Sequence, residues 1–133
     1  SYINNNFYNY LLLDDLSLYS STNERDSNNI TMLIGKYMKF YYNKNINNLV
    51  ITDGTSGVGA NSISFSKKFK KVNSVEINSD RCYLLNINSS CHEANNIVIY
   101  NKNYTNIYNK LRQDVVFIDA PWGGRKYKLK KKN

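Results

Sequence analysis

The sequence predicts an α/β fold built on a parallel sheet, and three observations carry that expectation. Two apolar runs, Leu49-Val50-Ile51 and Val115-Val116-Phe117-Ile118, are continuous rather than alternating, which suits strands covered on both faces. Each run closes on an acid, Asp53 and Asp119, and a glycine-bearing loop follows. Helix-like and strand-like stretches alternate between them at the spacing of βαβ units.

The chain has 133 residues, enough for one domain with its own core. It contains no apolar run of the length that spans a bilayer, and Ser1 to Asn6 lacks the basic start and apolar core of a signal peptide. Cys82 and Cys91 stand nine apart in one helical stretch, a spacing that fits neither a disulfide framework nor a zinc site, so free thiols and an intracellular setting are expected. The net charge is +8, and six of the 18 basic residues (Arg125, Lys126, Lys128, Lys130, Lys131, Lys132) crowd the C-terminal end. Such an arm suits a phosphate backbone, and it suits a solvated terminus equally well.

Along the chain, Phe7 to Leu18 is apolar-rich and reads as a helix or an irregular cover over the sheet. Ser20 to Asn29 reads as a polar loop. Ile30, Leu33, Ile34, Tyr37, Met38 and Tyr41 fall on one face at helical spacing, predicting a helix from Ile30 to Tyr42 capped by Asn28 or Asn29 and ended by Tyr42-Asn43-Lys44-Asn45. Leu49 to Asp53 is the first strand, and a helix from about Ala60 to Lys70 follows its glycine loop. Val72 to Ile77 is the second strand. Ser79 to Ala94 is a helix expected to bury Tyr83, Leu84, Ile87 and Cys91. Asn96 to Tyr100 is the third strand, Tyr104 to Leu111 a short helix, and the run from Val115 the fourth strand.

Three constellations carry chemistry. In Asp53-Gly54-Thr55-Ser56-Gly57-Val58-Gly59, Gly57 and Gly59 lack Cβ atoms where the backbone turns and approaches a ligand, and the following helix presents its N–H groups there. The run misses the last position of a dinucleotide fingerprint and has no Gly-Lys-Ser/Thr of a phosphate loop. Glu76, at the end of the second strand, can accept both hydroxyls of a ribose. In Asp119-Ala120-Pro121-Trp122-Gly123-Gly124 a carboxylate and a large flat ring are held at the carboxyl end of a strand, where open α/β sheets bind ligands. His92, the only histidine, reads as a surface or packing residue.

Taken in order, the glycine loop, Val75-Glu76-Ile77-Asn78 and Asp114 to Gly124 resemble a class I S-adenosylmethionine-dependent methyltransferase. They are most similar to the trimethylguanosine synthases, which methylate the exocyclic amine of a 7-methylguanosine cap. The resemblance covers residues 30 to 124. It implies a Rossmann-like parallel sheet in spatial order 3-2-1-4, short at the C-terminus for that fold. It also implies S-adenosyl-L-methionine as cofactor, held by Asp53, Gly54, Gly57, Gly59, Glu76, Asn103 and Asp119. Asn103 stands where that family usually has an Asp facing the adenine amine, and its carbonyl can still accept from it. Pro121 and Trp122 match the catalytic loop, in which Asp119 and Ala120 would also take part although they depart from its usual residues, and Trp122, Gly123, Arg125 and Lys126 would contact substrate. No metal is implied.

The resemblance thus points to methyl transfer onto a base amine of capped RNA, in a cytoplasmic or nuclear setting and away from membranes. Asp119-Ala120 departs from the Ser-Pro usual in that family, towards the Asp/Asn-Pro-Pro-aromatic of adenine-amine enzymes, so the base stays open. A reduced, non-catalytic binding subunit, with a protein partner completing the fold, is a further alternative. The expected organisation is a cover segment over 1–29, a methyltransferase-like domain over 30–124 and a basic tail over 125–133.

Overall fold

A computed structural model of the chain describes residues 21–119. Within that span lie α1 (Ser21–Tyr42), β1 (Val50–Asp53), α2 (Ala60–Ser66), β2 (Lys71–Val75), α3 (Ser79–Cys91), β3 (Ile97–Tyr100), α4 (Tyr104–Ile107) and β4 (Val115–Phe117), with short 3-10 turns at Ile46–Asn48 and Tyr108–Lys110. The four strands form one sheet in the order β3-β2-β1-β4, every pair parallel. This is the 3-2-1-4 order expected from the sequence, and among the described residues no helix is long and apolar enough to cross a membrane.

The sheet register explains the core. Val115, Ile51, Val72 and Ile97 stand side by side across the four strands and so point to one face. Phe65 and Phe69 of α2 and its exit cover that row, and Ile30, Ile34 and Met38 of α1 pack on the same cluster. Phe65 is fully buried and meets Phe69 and Phe117 edge to face at centroid distances of 5.8 and 5.3 Å. One residue further along, Thr52, Asn73, Val98 and Val116 point to the other face. There Asn73 Nδ2 donates to Thr52 Oγ1 and to the Arg112 carbonyl, so the segment leading into β4 crosses the centre of that face.

Several expectations are corrected. The helix covers Ser21–Tyr42, so residues 21–29 are helical and not a loop, and neither Asn28 nor Asn29 is its cap. The buried stripe of α1 runs on as Ser27 and Thr31, which are polar in sequence but pair locally. Thr31 Oγ1 donates to the Ser27 carbonyl and lies 2.6 Å from Ser64 Oγ, which donates to Asn28 Oδ1. Leu33, Tyr37 and Tyr41, expected inside, are exposed, because α1 touches the domain along one narrow stripe. On α3 it is Leu84, Leu85 and Ser89 that are buried, while Tyr83, Ile87 and Cys91 are exposed. Among the described residues nothing covers the second face of β4, where Val116 and Ile118 are exposed. α1 ends within the expected stretch 42–45, where Asn43 takes the left-handed conformation and its N–H donates to the Lys39 carbonyl.

Phe65 is the ring that ties α2 to β4 within the core cluster. Phe65→Ala should lower unfolding stability by about 3–5 kcal/mol in urea titrations, with the denaturant slope unchanged.

Candidate cofactor site

Two residues on from Ile51, Asp53 points to the same face as the core and lies under the start of α2. It is fully buried. Its Oδ2 accepts from Ser62 Oγ at 2.8 Å and its Oδ1 from the Thr55 N–H at 3.2 Å. Ser56 Oγ donates to the Asp53 carbonyl, and Ser74 Oγ on β2 donates to Ser62 Oγ at 2.6 Å. One carboxylate thereby ties together the end of β1, the loop, the first turn of α2 and the neighbouring strand.

The two loop glycines have different reasons. Gly57 has φ +57° and nothing lies near where a Cβ would be, so its demand is the left-handed backbone itself, on the open side of the loop. Gly59 has φ +109°, and a Cβ there would come within 2.8 Å of Leu85 Cδ1, so its absence lets α3 close on the loop. Gly54 is hemmed in by the side chains of Ile118 and Tyr104. Its N–H donates to the Phe117 carbonyl, joining the loop to the end of β4.

Glu76 follows β2 directly. Its Oε1 accepts from the Gly57 N–H at 2.7 Å and its Oε2 from the Asn78 N–H at 2.9 Å. Each oxygen keeps a second lone pair, and the carboxylate lines a cleft of about 410 Å3 over the carboxyl ends of the strands. Gly54, Thr55, Gly57, Asn103 and Asp119 share its wall. The Asp119 N–H donates to Thr55 Oγ1 at 2.7 Å, which pins the exit of β4 against the loop. Of the residues expected at the cofactor, five therefore meet in one cleft, while Asp53 and Gly59 shape it from beneath. Ala120, Pro121, Trp122, Gly123, Arg125 and Lys126 lie outside the described residues.

Asn103 does something the sequence did not suggest. It caps α4, its Oδ1 accepting from the Thr105 N–H at 3.0 Å and from Thr105 Oγ1 at 2.8 Å. That carbonyl is committed, which leaves the amide N–H groups as its means of reaching a ligand. Arg81, Lys102 and Tyr104 also line the cleft and were not singled out from the sequence. The usable signal was position, since Lys102 closely follows β3 and Arg81 lies in the first turn of the helix after Glu76. Among the described residues no group of acids, cysteines and histidine is gathered as for a metal ion.

A parallel 3-2-1-4 sheet with a glycine loop after β1 and an acid after β2 defines the class I fold of S-adenosylmethionine-dependent methyltransferases. Residues 48–133 match the RNA cap guanine-N2 methyltransferase family, and the chain belongs to it. S-adenosyl-L-methionine is the cofactor of that family, and the acceptor pair of Glu76, facing an open cleft, fits its ribose. Over 83 residues the chain is 45% identical to an uncharacterised protein of Acanthamoeba polyphaga mimivirus, covering 60% of this chain and 32% of that protein. The fold resembles a proposed RNA methyltransferase from Pyrococcus horikoshii, with TM-score 0.61 and 18% identity over 74% of this chain and 46% of that one. It also resembles a proposed methyltransferase from Streptococcus mutans in complex with S-adenosylhomocysteine, with TM-score 0.52 and 15% identity over 64% and 49% of the two chains. The chain thus spans about a third of the length of its viral relative.

Burial pushes the Asp53 carboxyl up from 3.8 to about 7, against the hydrogen bonds from Ser62 and Thr55, with the charges of Asp119 and Glu76 adding to the rise. The native state therefore holds the Asp53 proton more tightly than the unfolded chain does. Stability should fall as pH rises from about 4 to about 7, with the full cost, on the order of 4 kcal/mol, present above that range. Asp53→Asn keeps an acceptor for Thr55 and cannot ionise, so its urea-unfolding free energy should lose this slope and exceed that of the wild type at pH 8.

Proposed function

We propose that this chain carries the cofactor-binding core of an enzyme that transfers a methyl group to an exocyclic base amine of RNA, the guanine of a 7-methylguanosine cap. The observation that carries the reading is the cleft in which Glu76, Asn103 and Asp119 meet around the glycine loop, in a chain of the cap guanine-N2 family. When bound, S-adenosyl-L-methionine supplies an electrophilic methyl group on a sulfonium. Glu76 would accept from the ribose hydroxyls, and the Gly57 N–H that it holds keeps the loop in the conformation the ligand meets. Asn103 would donate from its amide to a ring acceptor of the adenine. Asp53 would act on the site indirectly, through Thr55 and Ser62.

The Asp119 N–H bond to Thr55 fixes the exit of β4 beside the cleft. The Asp119 carboxylate or the Ala120 carbonyl would accept from the attacking amine and orient its lone pair. Alignment of amine and methyl then supplies most of the rate, since little proton transfer is needed before attack. Trp122 would stack on the base and gain cation–π attraction from a 7-methylated ring, with Gly123, Arg125 and Lys126 alongside the cap phosphates. The pairing of Asp119 with Ala120 favours one rival, an adenine-amine methyltransferase with the same cofactor site. The open face at Val98, Val116 and Ile118 favours another, a binding subunit with a protein partner over it.

Two measurements test this reading. Glu76→Gln should weaken S-adenosylhomocysteine binding by about 1.5–3 kcal/mol in calorimetry, and an unchanged affinity would remove Glu76 from the cofactor site. A 7-methylguanosine cap analogue should quench Trp122, the only indole of the chain. It should do so more than unmethylated guanosine or adenosine, by a preference on the order of 0.5–2 kcal/mol. Equal response to adenosine would transfer the assignment to the adenine rival.

A further inference from the structure

The C-terminal half of α1 carries a surface that the methyl-transfer site does not use. Phe40 is 79% exposed, Tyr41 64%, Tyr42 58% and Tyr37 53%. These rings are not scattered. Tyr37 and Tyr41 lie with centroids 4.6 Å apart, Phe40 and Tyr41 4.8 Å, and Tyr37 and Tyr42 6.2 Å, so they form one exposed aromatic cluster. A soluble domain rarely leaves such a patch open without a use for it.

The surroundings of the cluster are basic. Between α1 and α2 runs a groove of about 660 Å3 whose rim holds Lys36, Lys39, Lys67 and Lys68. On the other flank a second groove is lined by Tyr37, Tyr42 and Lys44. No acid occurs in the sequence between Asp26 and Asp53. Among the described residues, Glu24 pairs with Lys67 at 3.9 Å, and Asp114 Oδ2 accepts from the Val50 N–H at 2.9 Å, so both acids are engaged. Among the described residues Lys36, Lys39, Lys44 and Lys68 have no acid at ion-pair distance.

We infer that this half of α1 is a binding surface for single-stranded RNA. Exposed rings interleaved with unpaired lysines match the two needs of such a strand, π-faces for unstacked bases and positive charge along the phosphates. Lys36, Lys39 and Lys68 along the groove take phosphates, and Tyr37, Phe40 and Tyr41 take bases. A stacked duplex offers the lysines its phosphates but offers the rings nothing. The surface lies at the amino end of the sheet, because α1 leads within seven residues into the start of β1. The cofactor cleft is at the opposite end, beyond the four residues of β1, about 13 Å of strand. A few nucleotides bridge that span, so the surface would hold the body of a strand whose target base is elsewhere. That the strand is RNA rests on the reading of the preceding subsection; the stacking surface itself does not.

The test is fluorescence anisotropy on the full chain with a fluorescein-labelled single-stranded RNA dodecamer and the matching duplex, alongside calorimetry with S-adenosylhomocysteine. The double variant Phe40→Ala/Tyr41→Ala should bind the single strand about tenfold more weakly or worse, and the duplex nearly as the wild type does. Lys36→Gln/Lys39→Gln should reduce the slope of log affinity against log salt by about 0.7 for each phosphate no longer neutralised. Cofactor-product affinity should stay at the wild-type value in both. Because all four residues are exposed, these variants should fold, and equal thermal midpoints verify it. Wild-type affinity for the single strand in both variants overturns the inference. So does a loss of self-association in the aromatic variant with RNA affinity unchanged, which makes the patch an interface between copies. Failure of the methyl-transfer reading would register separately, as absent S-adenosylhomocysteine binding with single-strand binding intact.

Discussion

A carboxylate buried at the end of β1 is the constraint from which the site follows. Asp53 has no access to water and is held by a hydroxyl and a backbone N–H that fall on either side of the glycine loop. Desolvation makes its charge expensive, which is why burial raises its pKa. The compensating hydrogen bonds are what bind loop, helix and strand into one piece. Ser62 and Ser74 are small enough to be fully buried there and still satisfy one another. The loop is thus held from below, and its upper edge remains available to a ligand.

A second acid secures the same loop from above. Glu76 accepts from Gly57 and from Asn78, so the carboxylate expected at the ribose is also part of the scaffold. The Gly54 bond to Phe117 and the Asp119 bond to Thr55 close the loop against β4. Backbone groups of three strands therefore converge on seven residues, Asp53 to Gly59. An arrangement of this kind pre-organises a cleft instead of forming it on binding, which lowers the ordering cost of holding a flexible cofactor.

The two ends of the domain differ in chemistry. Acids gather at the carboxyl ends of the strands: Asp53, Glu76 and Asp119 lie close enough for the latter two to raise the pKa of the first. Lysines and tyrosines gather at the amino end, on α1 and the exit of α2. Arg81 and Lys102 line the cofactor cleft beside Glu76 and Asp119, so that end carries both signs of charge, whereas the groove between α1 and α2 is rimmed by lysines.

By itself the sequence determined what depends on local pattern. Continuous apolar runs marked three of the four strands, and the alternation of helix and strand implied that they pair in parallel. The acids and glycines that follow the strands marked Asp53, Gly57, Glu76 and Asp119 as residues of one site. These features are legible because a strand end, a left-handed turn and an apolar run each require particular residue types at fixed spacing. What only the tertiary structure decided is what depends on neighbours far along the chain. Ser27 fell in a stretch read as a polar loop and Thr31 had no place in the apolar face, yet both are buried, and Ser64, 33 residues beyond Thr31, supplies Thr31 with a partner. Tyr37 and Tyr41 read as core, yet they are exposed because α1 meets α2 along one stripe only. Asn103 was expected at the cofactor, and only the structure shows that its carbonyl caps α4 at the wall of the cleft. Burial is a property of what lies opposite a side chain, and the identity of that opposite surface is set by the packing of separate elements, not by the residue or its immediate neighbours.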